Sequence, residues 1–161
     1  MMGYAALQQG DRERAADLFE QAVTLERHHG DIWALGILLS DLAALRALEG
    51  SHAEARALGN EAIAFCQQLG DRRGVAWCLQ TIAMVDAAEG HAIRVARLHG
   101  AAERLLESVG ATGQVTVTRV QEGFLSAAIA SIGDAAFRAA ATEGRAMSLA
   151  QAIQYALERP R

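Results

Sequence analysis

The chain has 161 residues, of which 52% are hydrophobic and only 5% aromatic, and it carries a net charge of −4. Ala fills 35 positions and Leu 18, the single proline is Pro160, and all 15 basic residues are Arg. This composition excludes a β-sandwich or barrel, a disordered chain and a disulfide scaffold, and it leaves an all-helical domain.

In chain order, residues 1–9 read as the end of a helix and lack the basic start of a signal peptide. Helices follow over 12–28, 32–49, 52–69, 72–88 and 91–109. A sixth full helix is predicted over 116–131, a shorter one over 134–143 and a last one over 149–158. The start of the sixth is blurred by a β-branched run, Val115-Thr116-Val117-Thr118. Asp31 and Asp71 each follow a glycine at an N-cap position. Ser51-His52-Ala53-Glu54 and Ser148-Leu149-Ala150-Gln151 both read as capping boxes. No window approaches the ~20 uninterrupted apolar residues of a membrane span. The longest candidate, 32–48, contains Asp41 and Arg46.

Glycine sets the punctuation. Gly10, Gly30, Gly50, Gly70, Gly90 and Gly110 recur every twenty residues, with helical periodicity between them. Offset by forty, Leu18 matches Leu58 and Leu98, and Ala22 matches Ala62 and Ala102. Leu39, Ala43, Ala47 and Glu49 match Leu79, Ala83, Ala87 and Glu89. The unit is therefore a pair of antiparallel helices, repeated. Small residues at fixed places (Ala15, Ala22, Ala43, Ala55, Ala62, Ala83, Ala102) are expected to mark helix–helix contacts.

Little in the sequence carries chemistry. His28 and His29 are adjacent, so their side chains point about 100° apart on a helix and chelate poorly. His99 and Glu103 are one turn apart but lack a third ligand, while His52 and His91 follow turns and read as solvated. Cys66 and Cys78 flank the turn at Gly70-Asp71 at similar heights on neighbouring helices. They read as reduced, buried thiols, since a redox switch needs a low-pKa thiolate and the sequence forces no positive partner on either. The Arg residues are spread from Arg12 to Arg161, without the basic face of a nucleic-acid domain. Arg72-Arg73, the densest pair, reads as an exposed first helical turn.

The repeat resembles the tetratricopeptide family. The match is clearest at Gly10 with Ala15, Phe19 and Ala22, preceded by Met2-Gly3. It continues through Leu39, Leu42, Ala43, Gly50, Ala55 and Ala62, and then Leu79, Ile82, Ala83, Gly90 and Ala102. Gly59 and His99 stand where that family has an aromatic, Val95 replaces a small residue, and the closing proline is missing. The period of forty exceeds the usual ~34. Over 98–157, the strings Leu98-His99-Gly100-Ala101-Ala102-Glu103-Arg104-Leu105, Ile132-Gly133-Asp134-Ala135-Ala136-Phe137, Glu143-Gly144-Arg145-Ala146-Met147-Ser148 and Ala152-Ile153-Gln154-Tyr155-Ala156-Leu157 resemble the end of the repeat region in LuxR-type, MalT-like and AfsR-like bacterial signal-transduction ATPases.

The resemblance implies an all-α, right-handed superhelix of antiparallel helix pairs, a tetratricopeptide-like α-α solenoid. It implies one domain, with a partial first repeat over 1–30, full repeats over 31–70 and 71–110, and a divergent C-terminal repeat with a capping helix over 111–161. The family's inner positions map onto Tyr4, Ile37, Ser40, Ala44, Trp77, Gln80 and Met84, where Trp77, Gln80 and Met84 share one helical face. In that family an ATPase domain precedes the repeats and a DNA-binding domain often follows. This sequence has no Gly-rich loop ending in Gly-Lys-Ser/Thr and no Lys to fill one, so a fragment of a larger regulator is expected.

The expected function is that of a non-catalytic protein-interaction module of a bacterial transcriptional regulator. It is expected to be cytoplasmic, to need no cofactor or metal, and to contact neither nucleic acid nor membrane. The expected partner is a protein or peptide. A homodimer could form through a truncated first pair that leaves the apolar side of 1–9 and 12–28 exposed. The alternatives are a small-molecule sensor with its effector in the groove near Trp77, and a self-assembly module.

Overall fold

A computed structural model describes residues 2–111 and 115–159, and among them it shows nine α-helices and no strand. They are α1 (Met2–Gln8), α2 (Arg12–His29), α3 (Ile32–Leu48), α4 (His52–Leu69), α5 (Arg72–Ala88), α6 (Ala92–Ser108), α7 (Val115–Ile132), α8 (Asp134–Arg145) and α9 (Leu149–Leu157). Residue 1 of the predicted partial repeat and Pro160 lie outside the described residues. The predicted boundaries hold to within two residues, and the β-branched run at 115–118 forms the first turn of α7.

The six evenly spaced glycines all adopt positive φ, between 63° and 84°. That left-handed conformation is nearly free for glycine and costly for other residues, which is why the twenty-residue spacing fixes where each helix ends. The carboxylates of Asp11, Asp31 and Asp71 accept from the free backbone N–H groups of Arg14, of Trp33 and Ala34, and of Gly74. The two predicted capping boxes behave differently. Ser148, at ψ 163°, makes both halves of its box with Gln151. Ser51 makes no side-chain cap bond, because its ψ of 59° departs from the extended conformation such a cap uses.

Helices adjacent in sequence pack in pairs from α1 through α6, and α3, α5 and α7 lie side by side. The small residues do mark contacts. Ala15, Ala43, Ala55, Ala62 and Ala102 are wholly buried, although Ala22 stays partly exposed. The largest enclosed side chains, Leu39, Ile63, Leu79, Ile82 and Leu98, come from α3 to α6. The first pair is better covered than its sequence implies. Ala6, Ala15, Ala16, Phe19 and Val23 are buried, because α1 and α3 both pack on α2. Met2 and Leu25 are the large apolar residues that this pair leaves exposed.

The C-terminal part departs from simple pairing. α7 and α8 meet at 117° around Gly133, and α8 lies chiefly on α6. There the two backbones touch. A Cβ at Gly100 would sit 2.0 Å from the Ala141 carbonyl oxygen, and one at Gly144 would sit 1.9 Å from that of Arg97. α9 then closes over α5 and α6. Among the described residues, no single helix is long and apolar enough to cross a membrane.

Candidate functional site

α3 and α5 run side by side with a forty-residue offset, so Trp33 and Ile37 occupy the places that Arg73 and Trp77 occupy one repeat later. The turns at 33, 37, 40 and 44, and at 73, 77, 80 and 84, form one stripe on each helix. Trp33 is 54% exposed, Arg73 is exposed, and Ile37, Ala44, Trp77 and Gln80 are partly exposed. The Arg73 guanidinium lies 5.1 Å from the centre of the Trp77 ring, a cation–π arrangement that holds the indole in place. Trp77 also packs on the main core, and its Nε1 is buried without a hydrogen-bond partner.

Three of the expected groove residues point elsewhere. Ser40 is buried, with its Oγ 3.4 Å from Thr81 Oγ1, so it joins α3 to α5 instead of facing solvent. Met84 is 3% exposed, because α7 covers it and brings Phe124 and Leu125 against it. The cavity between them, also lined by Gln80, Ala83, Val95 and His99, holds about 20 Å³, room for a single water. A metabolite there would require the α5–α7 seam to open. Tyr4 is a clip between helices. Its ring packs edge-on against Phe19 at 5.2 Å, and its hydroxyl donates to Asp41 Oδ2 on α3.

Burial pushes the Asp41 carboxyl up from 3.8 to about 6, against a smaller downward pull from the Tyr4 hydrogen bond. Burial and the Asp41 carboxylate push the Tyr4 hydroxyl up. An acid raised in the folded state binds its proton more tightly there than in the unfolded chain, so it adds stability as pH falls. The gain begins near pH 6, is complete below 3.8, and is lost as pH rises through about 6. Wild type should therefore gain on the order of 2 kcal/mol relative to Asp41→Asn between pH 7.5 and pH 4. Parallel urea titrations of both chains read this difference directly; curves that stay parallel at every pH would contradict it.

Arg73, Thr81 and Asp41 are the residues of this layer that sequence reasoning missed. Asp41 had a signal, as the one acid inside the apolar stripe Leu35–Leu45. Arg73 had only its place one turn before Trp77. Elsewhere, His99 lies within 3.5 Å of Glu103 and 6.2 Å of the Phe137 ring, and burial pulls its pKa down. Among the described residues, no three His, Cys, Asp or Glu side chains converge as a metal site.

No protein-family model matches the chain, and no curated protein or solved structure shows significant similarity to it.

Proposed function

We propose that the chain is a non-catalytic helical-repeat module that binds a protein partner across the α3–α5 layer. In this reading its helix pairs wind as a tetratricopeptide-like superhelix, and the module belongs to a bacterial regulator of the LuxR or MalT-like kind. The observation that carries the proposal is the stripe Trp33, Ile37, Arg73, Trp77 and Gln80. It is a mixed aromatic, aliphatic and cationic surface, on positions that recur at the forty-residue period with different side chains, and it is held by two packed helices. Trp and Arg are the side chains that most often dominate protein interfaces. A rigid helical support lowers the entropy cost of presenting them.

A photo-cross-linking phenylalanine analogue at Trp33 or at Gln80, compared with one at Arg138, tests the reading in cells. Arg138 is on α8, with its side chain 78% exposed. The same partner should be captured from both α3–α5 positions and not from position 138. Capture that is equal at all three, or absent from the first two, would refute the assignment. So would ATP hydrolysis at an enzymatic rate by the purified chain.

A further inference from the structure

Arg73 is the one charged residue of the α3–α5 stripe. Arg27, Arg46, Arg56, Arg97 and Arg145 each bond an acid on another helix. Arg73 has no acid partner among the described residues and lies over the Trp77 ring instead. The carboxylates of Asp31 and Asp71, at the turns that open α3 and α5, are engaged as caps by the N–H groups of Trp33, Ala34 and Gly74. Arg73 is also the second residue of α5, whose first turn contains no acid, so its charge stands against the positive end of the helix dipole. A carboxylate from outside would answer both. A guanidinium turns its face to an aromatic ring and its N–H donors to oxygen, so the Trp77 contact leaves Arg73 able to hold one. The chain carries −4 overall, so an acid is drawn here by Arg73 itself and not by a general field.

The shape of the stripe sets what carries that acid. From Trp33 to Ala44 the surface rises about 17 Å, or three helical turns. Beyond it α7 lies against α5, with Phe124 and Leu125 at Met84, so the open stripe continues a seam that already seats one helix. The backbones of α3 and α5 are bonded internally, which leaves Gln80 and Arg73 as the accessible polar groups of the stripe. An extended segment would leave most of its N–H and C=O groups unpaired there, whereas a helix satisfies its own. We propose that the stripe takes one amphipathic helix with an acidic side chain, its carboxylate on Arg73 and its apolar residues over Trp33, Ile37 and Trp77. Those apolar residues stand three, four and seven positions from the acid, on the same helical face. Resting on the α3–α5 layer as the partner face, the assignment adds the partner's chemistry.

The test selects displayed helices of about 12 residues, varied on one face, against the full chain, and remakes the selected sequences as peptides with both ends blocked. Blocked ends leave side-chain carboxylates as the only acids of the peptide. The selected peptides should carry Asp or Glu beside apolar residues, and Arg73→Glu should bind them about tenfold or more weakly than wild type does. Exchanging the peptide's acid for Arg should cost wild type a similar factor. The same exchange should bring binding by Arg73→Glu back to within about threefold of the original pair. Arg138→Glu, with its change on α8, should bind the original peptide as wild type does. Trp33→Ala removes a side chain that is 54% exposed, so it marks the face without disturbing the core. Peptides that weaken on Trp33→Ala yet carry no acid, or that bind Arg73→Glu equally, would overturn the acidic helix and leave the partner face standing. No selected peptide at all would also overturn it. Peptides indifferent to Trp33→Ala and Arg73→Glu alike would count against the face itself.

Discussion

Replacing Asp86 with alanine should lower the unfolding free energy by about 4 kcal/mol. The Asp86 carboxylate is fully enclosed. Its Oδ1 accepts from Arg56 Nη2 on α4 at 2.8 Å, and its Oδ2 accepts from Arg94 Nε on α6 at 3.0 Å. Arg94 also donates to the Tyr155 carbonyl oxygen at 3.1 Å and lies 4.6 Å from the centre of the Tyr155 ring. One acid on α5 thus ties together α4, α6 and α9. Removing it leaves two poorly exposed guanidinium groups facing each other, with Glu89 the one acid still bonded to Arg56, at 2.7 Å. Arg56 Nη1 is already buried without a partner, so the cluster has no spare acceptor to redistribute. Chemical denaturation of wild type and variant reads the loss. A loss under about 1 kcal/mol would show that water reaches the cluster and screens it. The triple change Arg56→Leu, Asp86→Leu and Arg94→Leu should recover most of the loss, because no buried charge is then left unpaired.

Gly144→Ala should cost about 3 kcal/mol, and Gly100→Ala a similar amount. In each case the added methyl meets a backbone carbonyl at about 2 Å, and no rotamer change can move a carbonyl aside. α6 and α8 would have to separate along their whole crossing. Their bonds between Arg97 and Glu143, and between Arg145 and Glu107, would go with it. The two changes should not add, since the first separation already relieves the second contact. Gly123→Ala serves as the control. A Cβ there meets nothing within 4 Å, so it should stabilise α7 by about 0.5–1 kcal/mol. If all three variants melted together, backbone contact would not be what holds α6 to α8.

The helix ends were legible because each depends on local chemistry. A left-handed glycine and an aspartate cap act over a few residues, so Gly30-Asp31 and Gly70-Asp71 announce a turn wherever they occur. The buried alanines were legible through the forty-residue period. What escaped depends on partners far away in sequence. Met84 reads as a groove residue until α7, forty residues on, covers it. Tyr4 and Asp41 find each other across 37 positions, Gly100 meets Ala141 across 41 and Arg97 meets Gly144 across 47, with no repeat to align them. The mid-helix glycines were visible as weak helix formers in strong helical runs, but only the crossing explains them. Ser51 fits the capping pattern but fails in its backbone angle, which residue types alone do not specify.

The partner face is tested most directly by the affinity of the cross-linked partner for three chains: wild type, Arg73→Glu and Arg138→Glu. Arg73 stacks on Trp77 at the centre of the α3–α5 stripe, and Arg138 stands on the outer face of α8. With helical content and melting matched, Arg73→Glu should weaken binding by about tenfold or more. Arg138→Glu should stay within about twofold of wild type. Equal affinities for wild type and Arg73→Glu, or a loss confined to Arg138→Glu, would contradict the assignment.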